Sequence, residues 1–406
     1  MDPKDLRIED YTYDLPADRI AQHPLAERAS SKLLVYRAGS IADDRFGRLA
    51  DHVPTGSLLV LNDTRVVKAR LVFHRTTGAR IECMVLRPES DRPMEAGLQD
   101  RGTSRWWCVV GNAKRWTGEP LELSDGALEL RAERKQHHAG EHLVEFHWDG
   151  EATFAEVLAR MGHVPLPPYM KRTDDADDPV RYNTVFAAQD GSVAAPTASL
   201  HFTQESLRSL EARNVRRTSV TLHVGAGTFL PVKAARMDGH QMHSEQVRIP
   251  RSTVELLLAA AGRSPIIPVG TTALRTIESL CWFGDDLLAG RSEEGLNVSQ
   301  WRPYVGPSVS TDAALDEVVR WLDRQGSDEV TGHSSLLIAP GYPFRLAGGL
   351  ITNFHQPGST LLLLVAAFIG SDWRSVYQHA LANDYRFLSY GDGSLLWRNG
   401  EHGSGY

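Results

Sequence analysis

Two histidines lie beside backbone suited to the close approach of a ligand. His201 follows a run of small residues, 191–199, and His223 ends an apolar, β-branched run. Glycines let a backbone pass close to another group, and a strand that ends in glycines exposes N–H groups there. Because imidazoles titrate near neutral pH, both side chains suit proton transfer, although a buried core histidine is an equal interpretation of each one singly. The turn after the second histidine supplies Gly225, Gly227 and Thr228.

A second candidate site lies at the start of a predicted helix over 273–282. Thr271 and Thr272 precede this helix, and Arg275 lies in its first turn. Free N–H groups at a helix start, two hydroxyls and a guanidinium together make an anion pocket. The alternative is that a threonine only caps the helix and that Arg275 pairs with Glu278 three residues later.

A third group follows the apolar run 58–61. Asp63 comes directly after this predicted strand and is, like the two histidines, a candidate for acid–base catalysis. Three cations follow it, Arg65, Lys68 and Arg70. They either hold phosphates or cover a surface.

Several familiar signatures are absent or incomplete. The Gly-Ala-Gly at 225–227 lacks the third glycine of the dinucleotide fingerprint, because position 230 is Leu. The chain has neither a P-loop nor a Gly-x-Ser-x-Gly elbow. His240, His243 and Glu245 have a spacing that could ligate zinc, but they also fit a loop that leads into a strand.

The composition describes an ordinary globular protein of about two domains. The chain has 406 residues, of which 42% are hydrophobic and 23% charged. Three scattered cysteines and a charged N-terminus predict a cytoplasmic protein without a disulfide frame or secretory signal. The longest apolar run, 361–370, is about half of a bilayer span, so we expect a buried helix and no membrane. A net charge of −7 leaves only local patches to bind phosphate.

The pattern of elements predicts an α/β fold with an insertion. Residues 1–70 and 151–406 show apolar strands that end in polar turns and alternate with helices, which is typical of a layered mixed or mostly parallel sheet. Residues 71–150 show short strands separated by turn residues, which predict a small all-β barrel inserted into that domain. The polar stretch 88–104 is expected to be a mobile loop and the acidic stretch 174–178 a solvated connector. The apolar runs 220–224, 266–269, 336–339 and 350–352 should end at one edge of the sheet.

Short motifs follow one another in a fixed order along nearly the whole chain, at residues 13–16, 20–24, 61–66, 165–169, 181–185, 191–203, 220–229, 242–245, 269–275, 340–342, 352–355 and 385–392. Together they resemble the S-adenosylmethionine:tRNA ribosyltransferase-isomerases of bacterial queuosine biosynthesis. Ser199 stands where that family usually has Gly, and Gln356-Pro-Gly358 stands where it has a Leu-Pro-Lys type of sequence.

The resemblance implies an α/β domain with an inserted β-barrel, and a reaction. The ribosyl part of S-adenosylmethionine, the co-substrate, passes to a 7-aminomethyl-7-deazaguanine at the tRNA wobble position. It isomerises to an epoxycyclopentane, which gives epoxyqueuosine while adenine and methionine leave. No metal is implied.

This chemistry assigns expected roles to the candidate residues. A base must remove a proton from the ribose carbon beside the sulfonium, an acid must assist the departure of adenine, and the substrate amine must lose a proton. We expect His201 and His223 to carry these transfers. Glu278 or Asp63 would hold the cationic amine. The methionine carboxylate would be held by Arg275 with Thr271 and Thr272, and the remaining substrate contacts would come from Gly225, Gly227, Thr228, Asn353 and His355.

For the tRNA partner we expect a basic strip and a monomeric enzyme. Arg65, Lys68 and Arg70 would join Lys171, Arg172 and Arg181 to contact phosphates. Two other hypotheses for the function stay open. One is a tRNA-binding paralogue without catalytic activity, and the other is a metal-dependent hydrolase that uses the His240, His243 and Glu245 group.

Overall fold

The fold is described by a computed structural model over residues 2–398, apart from 139, 226–231, 293 and 307, and apart from the side chain of Asp91. The predicted contacts Gly227 and Thr228 lie outside the described residues. In chain order the strands are β1 (Lys32–Arg37), β2 (Ser40–Arg45), β3 (Leu58–Asn62), β4 (Thr64–Val66), β5 (Arg70–His74), β6 (Arg80–Pro88), β7 (Thr103–Gly111), β8 (Leu121–Ser124), β9 (Glu129–His138), β10 (Glu141–Trp148), β11 (Gln189–Ser192), β12 (Arg216–Leu222), β13 (Glu245–Pro250), β14 (Ile266–Pro268), β15 (Leu296–Val298), β16 (Glu329–Ser334), β17 (Gly349–Asn353) and β18 (Gly393–Trp397).

Helices α3, α5, α8 and α9 start where a side chain accepts from a first-turn N–H group. Thr153 and Glu156 form a reciprocal capping box on α3, and the Ser359 hydroxyl accepts from Leu362 at the start of α9. The helices are α1 (Leu49–His52), α2 (Met94–Leu98), α3 (Phe154–Met161), α4 (Asp178–Arg181), α5 (Gln204–Ala212), α6 (Arg251–Ala260), α7 (Thr271–Leu288), α8 (Thr311–Gln325), α9 (Thr360–Ile369) and α10 (Trp373–Ala382).

The main domain is built on a curled mixed sheet, as predicted. Its six-stranded part has the order β14-β3-β12-β13-β16-β15, in which β14, β3 and β12 run parallel and β13 runs antiparallel to both of its neighbours. A bridge between Val269 and Ile351 links it to a four-stranded part of order β17-β18-β1-β2. The carboxyl ends of β3, β12 and β14 therefore lie at one edge, where α7 begins.

The inserted β-barrel is also confirmed. Strands β5 to β10 form an antiparallel sheet of order β5-β6-β7-β10-β9-β8, and its two edge strands approach each other, so that the barrel is nearly closed. Its interior is filled by large buried side chains, including Trp106, Phe146 and Trp116. The boundaries 71–150 themselves remain a prediction.

Three local predictions were wrong. In each case, contacts with distant parts of the chain decide the conformation of the segment, and local composition does not show those contacts. The stretch 88–104 is not a loose loop, since it contains α2, whose Met94 and Leu98 are buried. The acidic stretch 174–178 is fixed by ion pairs of Asp174 and Asp178 with arginines. Leu336–Ala339 is buried but irregular rather than a strand.

The apolar run before α10 is a core helix. Thr360–Ala382 has the length and mean hydropathy, 1.2, of a membrane span, but 56% of that window is buried inside the protein. Within α9, Leu362, Leu363 and Val365 are completely or almost completely buried. The helix therefore packs against protein, as the run 361–370 predicted.

The central helix α7 is buried along most of its length, and α8 crosses it at Gly284. A Cβ atom on Gly284 would lie only 2.2 Å from the carbonyl oxygen of Ala314 in α8. The hydrogen at this position is what permits the two backbones to approach so closely.

We expect Gly284→Ala to lower the free energy of unfolding by about 2–4 kcal/mol, because α8 must move away. Helix propensity alone would favour alanine by about 1 kcal/mol. The matched control is Gly348→Ala, where an added Cβ meets nothing within 4 Å. Urea unfolding of the three proteins measures the effect, and equal midpoints for both variants would contradict it.

Candidate active site

An open cleft lies at the sheet edge where α7 and α9 begin. Its floor is formed by residues 195–198, and its sides come from both helix starts and from the segment after β17. We call this space the central cleft. It is lined by Tyr169, Ala195, Pro196, Thr197, Ala198, Val224, Gly270, Thr271, Thr272, Thr352, Asn353, His355, Gln356, Ser359, Leu361, Leu388 and Ser389.

Two helix N-termini point their positive ends at the central cleft. The N-cap of α7 is Gly270, whose φ of +89° suits glycine and which offers no side-chain cap. The first-turn N–H groups and the hydroxyls of Thr271 and Thr272 therefore face the cleft region instead of a capping side chain. Ser359 at the start of α9 lines the same space. No side chain caps α7, so the capping alternative is wrong, while an anion pocket at this helix start stays a prediction.

Asn62 positions the start of α7, and sequence reasoning missed this residue. The buried carboxamide of Asn62 donates to the carbonyl of Leu222 at 3.0 Å and to the Thr272 hydroxyl at 3.4 Å, and it accepts from the Leu222 N–H at 3.0 Å. It therefore ties β3, β12 and α7 together. Its place at the end of the apolar run 58–61 was the signal that could have identified it.

His355 lies in the wall of the central cleft. Its Nε2 and the Thr352 hydroxyl are 2.9 Å apart, while its Nδ1 has no hydrogen-bond partner among the described residues. Burial lowers the pKa of His355 to about 3. The ring is therefore neutral at physiological pH, and one nitrogen is available to a ligand.

His201 lies behind the cleft and connects to it through Asn353. The Asn353 amide donates to His201 Nε2 at 3.3 Å, and Ser31 Oγ lies 3.0 Å from Nδ1. Because the Ser31 hydroxyl donates to the carbonyl of Arg28, it accepts from His201, which fixes the tautomer with the proton on Nδ1. Burial, followed by the charges of Arg386 and Arg28, lowers the pKa of His201 to about 3.

His223 lies where the inserted barrel meets the main domain. Its Nδ1 is 2.9 Å from the Thr64 hydroxyl and its Nε2 is 3.4 Å from Glu95, a residue of α2. Glu95 also accepts from Arg248 at 2.7 Å. The hydrogen bond with His223 is the largest cause that lowers the pKa of Glu95 to about 2. This link between domains was not anticipated, because 88–104 was predicted to be mobile.

The two candidate carboxylates do not line the central cleft. Asp63 accepts from the Thr221 hydroxyl at 2.7 Å, between β3 and β12. Glu278 is completely buried in α7 and accepts from Tyr342 and from the backbone N–H groups of 345–347. Burial raises the pKa of Glu278, while these four donors oppose the shift.

Arg275 lies one turn beyond Thr271 and lines a second cavity. It does not pair with Glu278, because its Nη1 donates to Glu245 and its Nε donates to the carbonyl of Leu336 at 3.0 Å. The structure thus places the three predicted carboxylate contacts around two neighbouring spaces, Thr271 and Thr272 in the central cleft and Arg275 in the other.

The predicted tRNA contacts fall into two groups. Arg70 pairs with Asp174, Arg172 pairs with Asp178, and Arg181 donates to the carbonyls of Leu25 and Ala26. The guanidinium groups of these three arginines are therefore held by contacts within the protein. Of the remaining three, Arg65 and Lys171 are exposed and Lys68 is partly exposed. Arg65 lies 3.5 Å from Asp190, and Lys68 donates to the carbonyl of Ala159.

Ser199, where the resembled family usually has Gly, is completely buried. Its hydroxyl has no hydrogen-bond partner among the described residues. An unsatisfied buried hydroxyl costs about 1–3 kcal/mol.

The alternative metal site is not assembled. Among the described residues, the one group of potential ligand atoms that converges within 4.8 Å is Glu133, Glu145 and His147 on the barrel, not the cluster around His240. Lys135 and Arg105 already neutralise Glu145. The geometry of the described residues therefore does not support the hypothesis of a metal-dependent hydrolase.

Comparison with known proteins identifies the family. The family model described as "Queuosine biosynthesis protein" matches residues 8–396. The S-adenosylmethionine:tRNA ribosyltransferase-isomerase of Anaeromyxobacter sp. (strain Fw109-5) is 38% identical over 97% of this chain and 99% of its own. The protein of the same name from Magnetococcus marinus is 39% identical over 96% and 94%. A crystal structure of the S-adenosylmethionine tRNA ribosyltransferase from Thermotoga maritima is 25% identical over 95% and 99%, with a TM-score of 0.46. The full-length matches show that this chain belongs to the queuosine biosynthesis protein family of S-adenosylmethionine:tRNA ribosyltransferase-isomerases.

Proposed function

We propose that the central cleft is where this protein performs the ribosyl transfer and isomerisation of its family. The reaction moves the ribosyl moiety of S-adenosylmethionine onto 7-aminomethyl-7-deazaguanine in tRNA and gives epoxyqueuosine, with adenine and methionine released. The observation that carries the proposal is the full-length similarity, at 38–39% identity, to enzymes named for this activity. The protein would act on tRNA in the cytoplasm.

The chemistry needs neutral proton acceptors near the ribose. The sulfonium acidifies the adjacent ribose carbon, so that a base can remove its proton, and adenine leaves more readily when a donor reaches one of its nitrogens. The buried imidazoles of His355 and His201 are both neutral, and burial makes both weaker bases. His355 keeps a nitrogen that no described residue occupies, whereas both nitrogens of His201 are hydrogen-bonded.

His355 is the imidazole best placed to touch the ribose. Its Nδ1 is the open nitrogen in the cleft wall, while Thr352 holds Nε2. His201 would act through Asn353, whose amide stands between the imidazole and the cleft. Thr271 and Thr272 would hold the ribose hydroxyls at the N-terminus of α7.

The other candidate groups would act from further away. His223, with Thr64 and Glu95, would hold or relay a proton at the junction with the barrel. Asp63 would orient the end of β12 through Thr221. Glu278 would hold the segment 345–347 through the backbone N–H groups that it accepts from.

Incubation with S-adenosylmethionine and tRNA that bears the deazaguanine, followed by nucleoside analysis, tests the activity. Formation of epoxyqueuosine together with free adenine supports the proposal. Tight tRNA binding without adenine release would instead identify a tRNA-binding paralogue.

We expect His201→Ala and His355→Ala each to lower turnover by at least about 100-fold, a typical loss for a general acid or base. Affinity for tRNA should stay nearly unchanged, since neither imidazole is exposed. Single-turnover adenine release and equilibrium tRNA binding separate the two effects. Unchanged turnover in either variant would remove that residue from the mechanism.

The neutral imidazoles also make stability depend on pH. Because the pKa of His201 and His355 is about 3 when folded, the unfolded chain binds more protons below its ordinary value near 6.5. Their stabilising contribution is therefore complete above pH 6.5 and is lost as pH falls toward 3. Between pH 6.5 and 3, each of these two histidines should lower the free energy of unfolding by about 1.4 kcal/mol for every unit by which the pH falls.

Urea unfolding between pH 7.5 and 5 checks this expectation. His355→Gln should reduce the slope of stability against pH, whereas His74→Gln, at an exposed position on the barrel, should leave it as in the parent. Identical slopes for all three proteins would show that burial does not hold the imidazole neutral.

For tRNA, we expect Lys171→Gln to weaken binding about three- to tenfold at low salt and to reduce the salt slope by about one. The charge-matched control is Arg263→Gln, which precedes β14 at the sheet edge opposite the cleft. Binding measured from low to moderate ionic strength separates the two variants. Equal salt slopes in both would exclude Lys171 from the interface.

A further inference from the structure

A second cavity adjoins the central cleft. Leu361 lines both spaces, and Thr360 at the start of α9 lines the second one. We call this space the side cavity. Its walls are Lys233, Ala234, Gly239, His240, Met242, His243, Glu245, Arg275, Leu336, Leu337, Ile338, Thr360, Leu361 and Leu364.

A buried ion pair stands in the wall of the side cavity. The side chains of Arg275 and Glu245 are only 8% and 4% exposed, and Nη1 of the arginine donates to the carboxylate. Nη2 of Arg275 is buried and has no hydrogen-bond partner among the described residues. Because Arg275 lines the side cavity, an acceptor that enters this space would meet a guanidinium that still has a donor to give.

The rest of the wall combines charge with apolar surface. Lys233 is exposed at the cavity, which gives two cations against the one carboxylate when His240 and His243 are neutral. Met242, Leu361 and Leu364 supply apolar contact, and methionine sulfur adapts well to flexible ligands. The cavity therefore offers an anion partner, a cation partner and an apolar strip together.

We propose that the side cavity binds the α-amino-acid end of S-adenosylmethionine. The carboxylate is held by Arg275 and Lys233, the ammonium by Glu245, and the carbon chain runs past Leu361 from a ribose in the central cleft. This inference rests on the proposed function, and it divides one co-substrate between two adjoining spaces. It also explains why Arg275 lies one helical turn away from Thr271 and Thr272.

The test compares S-adenosylmethionine with its decarboxylated analogue by titration calorimetry. In the parent protein we expect the analogue to bind about 50- to 100-fold more weakly, since it lacks the group that Arg275 holds. In Arg275→Gln, affinity for S-adenosylmethionine should fall to within about two- to fivefold of that of the analogue, because only Lys233 still contacts the carboxylate. Lys233→Gln, at an exposed position, should reduce the discrimination between the two compounds about two- to fivefold.

Arg345→Gln is the matched control, because Arg345 is equally buried, with a side chain 6% exposed and paired to Asp285 at 2.8 Å, but lines neither space. It should keep the full discrimination, and thermal unfolding reports whether each variant is folded. Equal affinity of the parent for both compounds, a measurement that needs no variant, would overturn the inference. So would full discrimination in Arg275→Gln.

Failure of the inference can be told apart from failure of the proposed function. If the parent releases adenine with substrate tRNA but binds both compounds equally, the amino-acid end lies elsewhere. If the parent releases no adenine, the activity itself is wrong, whatever the calorimetry gives.

Discussion

The architecture of the central cleft depends on one buried carboxamide. Asn62 satisfies both the N–H and the carbonyl of Leu222 and reaches the hydroxyl of Thr272, so three elements meet at fixed distances. A buried amide is costly unless its donors and acceptor are paired, so the strands and the helix must adopt this arrangement together. The uncapped start of α7 is held at the cleft as a result, and it faces the start of α9 in the same space.

The electrostatics of the cleft follow from burial in this frame. Two helix N-termini contribute positive potential, and the nearby imidazoles are held neutral because burial penalises their charged forms. In a neutral imidazole one nitrogen carries the proton and the other is an acceptor, and the neighbouring groups decide which is which. Ser31 and Asn353 occupy both nitrogens of His201, whereas Thr352 occupies one nitrogen of His355. The difference makes the second ring the one with direct access to a ligand.

The barrel is joined to the main domain through charged side chains as well as through its two chain connections. Glu95 from α2 lies between His223 and Arg248, and Arg248 also reaches Glu329 at 3.0 Å. A Cβ on Gly191 would lie 2.9 Å from the His223 ring, so the backbone is packed closely there. The barrel thus contributes a carboxylate to the surroundings of a candidate acid–base residue, and any movement of the insertion would reach that histidine directly.

Local sequence patterns were sufficient for much of the fold. Alternating short strands predicted the inserted barrel, apolar runs with polar ends predicted the sheet edge, and the apolar run 361–370 predicted a buried helix. The fold class and the buried helix α9 are confirmed. These features depend on neighbours in the chain, through side-chain periodicity and capping. The order of motifs was sufficient to identify the family, while the boundaries 71–150 and the roles of the site residues stay predictions.

What the sequence by itself determined was therefore the class of fold, the reaction, and which residue types could perform it. Only the tertiary structure decided how those residues are grouped. It paired Arg275 with Glu245 rather than Glu278, and it ordered 88–104 so that Glu95 meets His223. Such pairings join residues distant in the chain, and their strength depends on burial and on exact distance. Neither burial nor distance can be deduced from spacing along a sequence, and for this physical reason only the tertiary structure shows how the site residues are grouped.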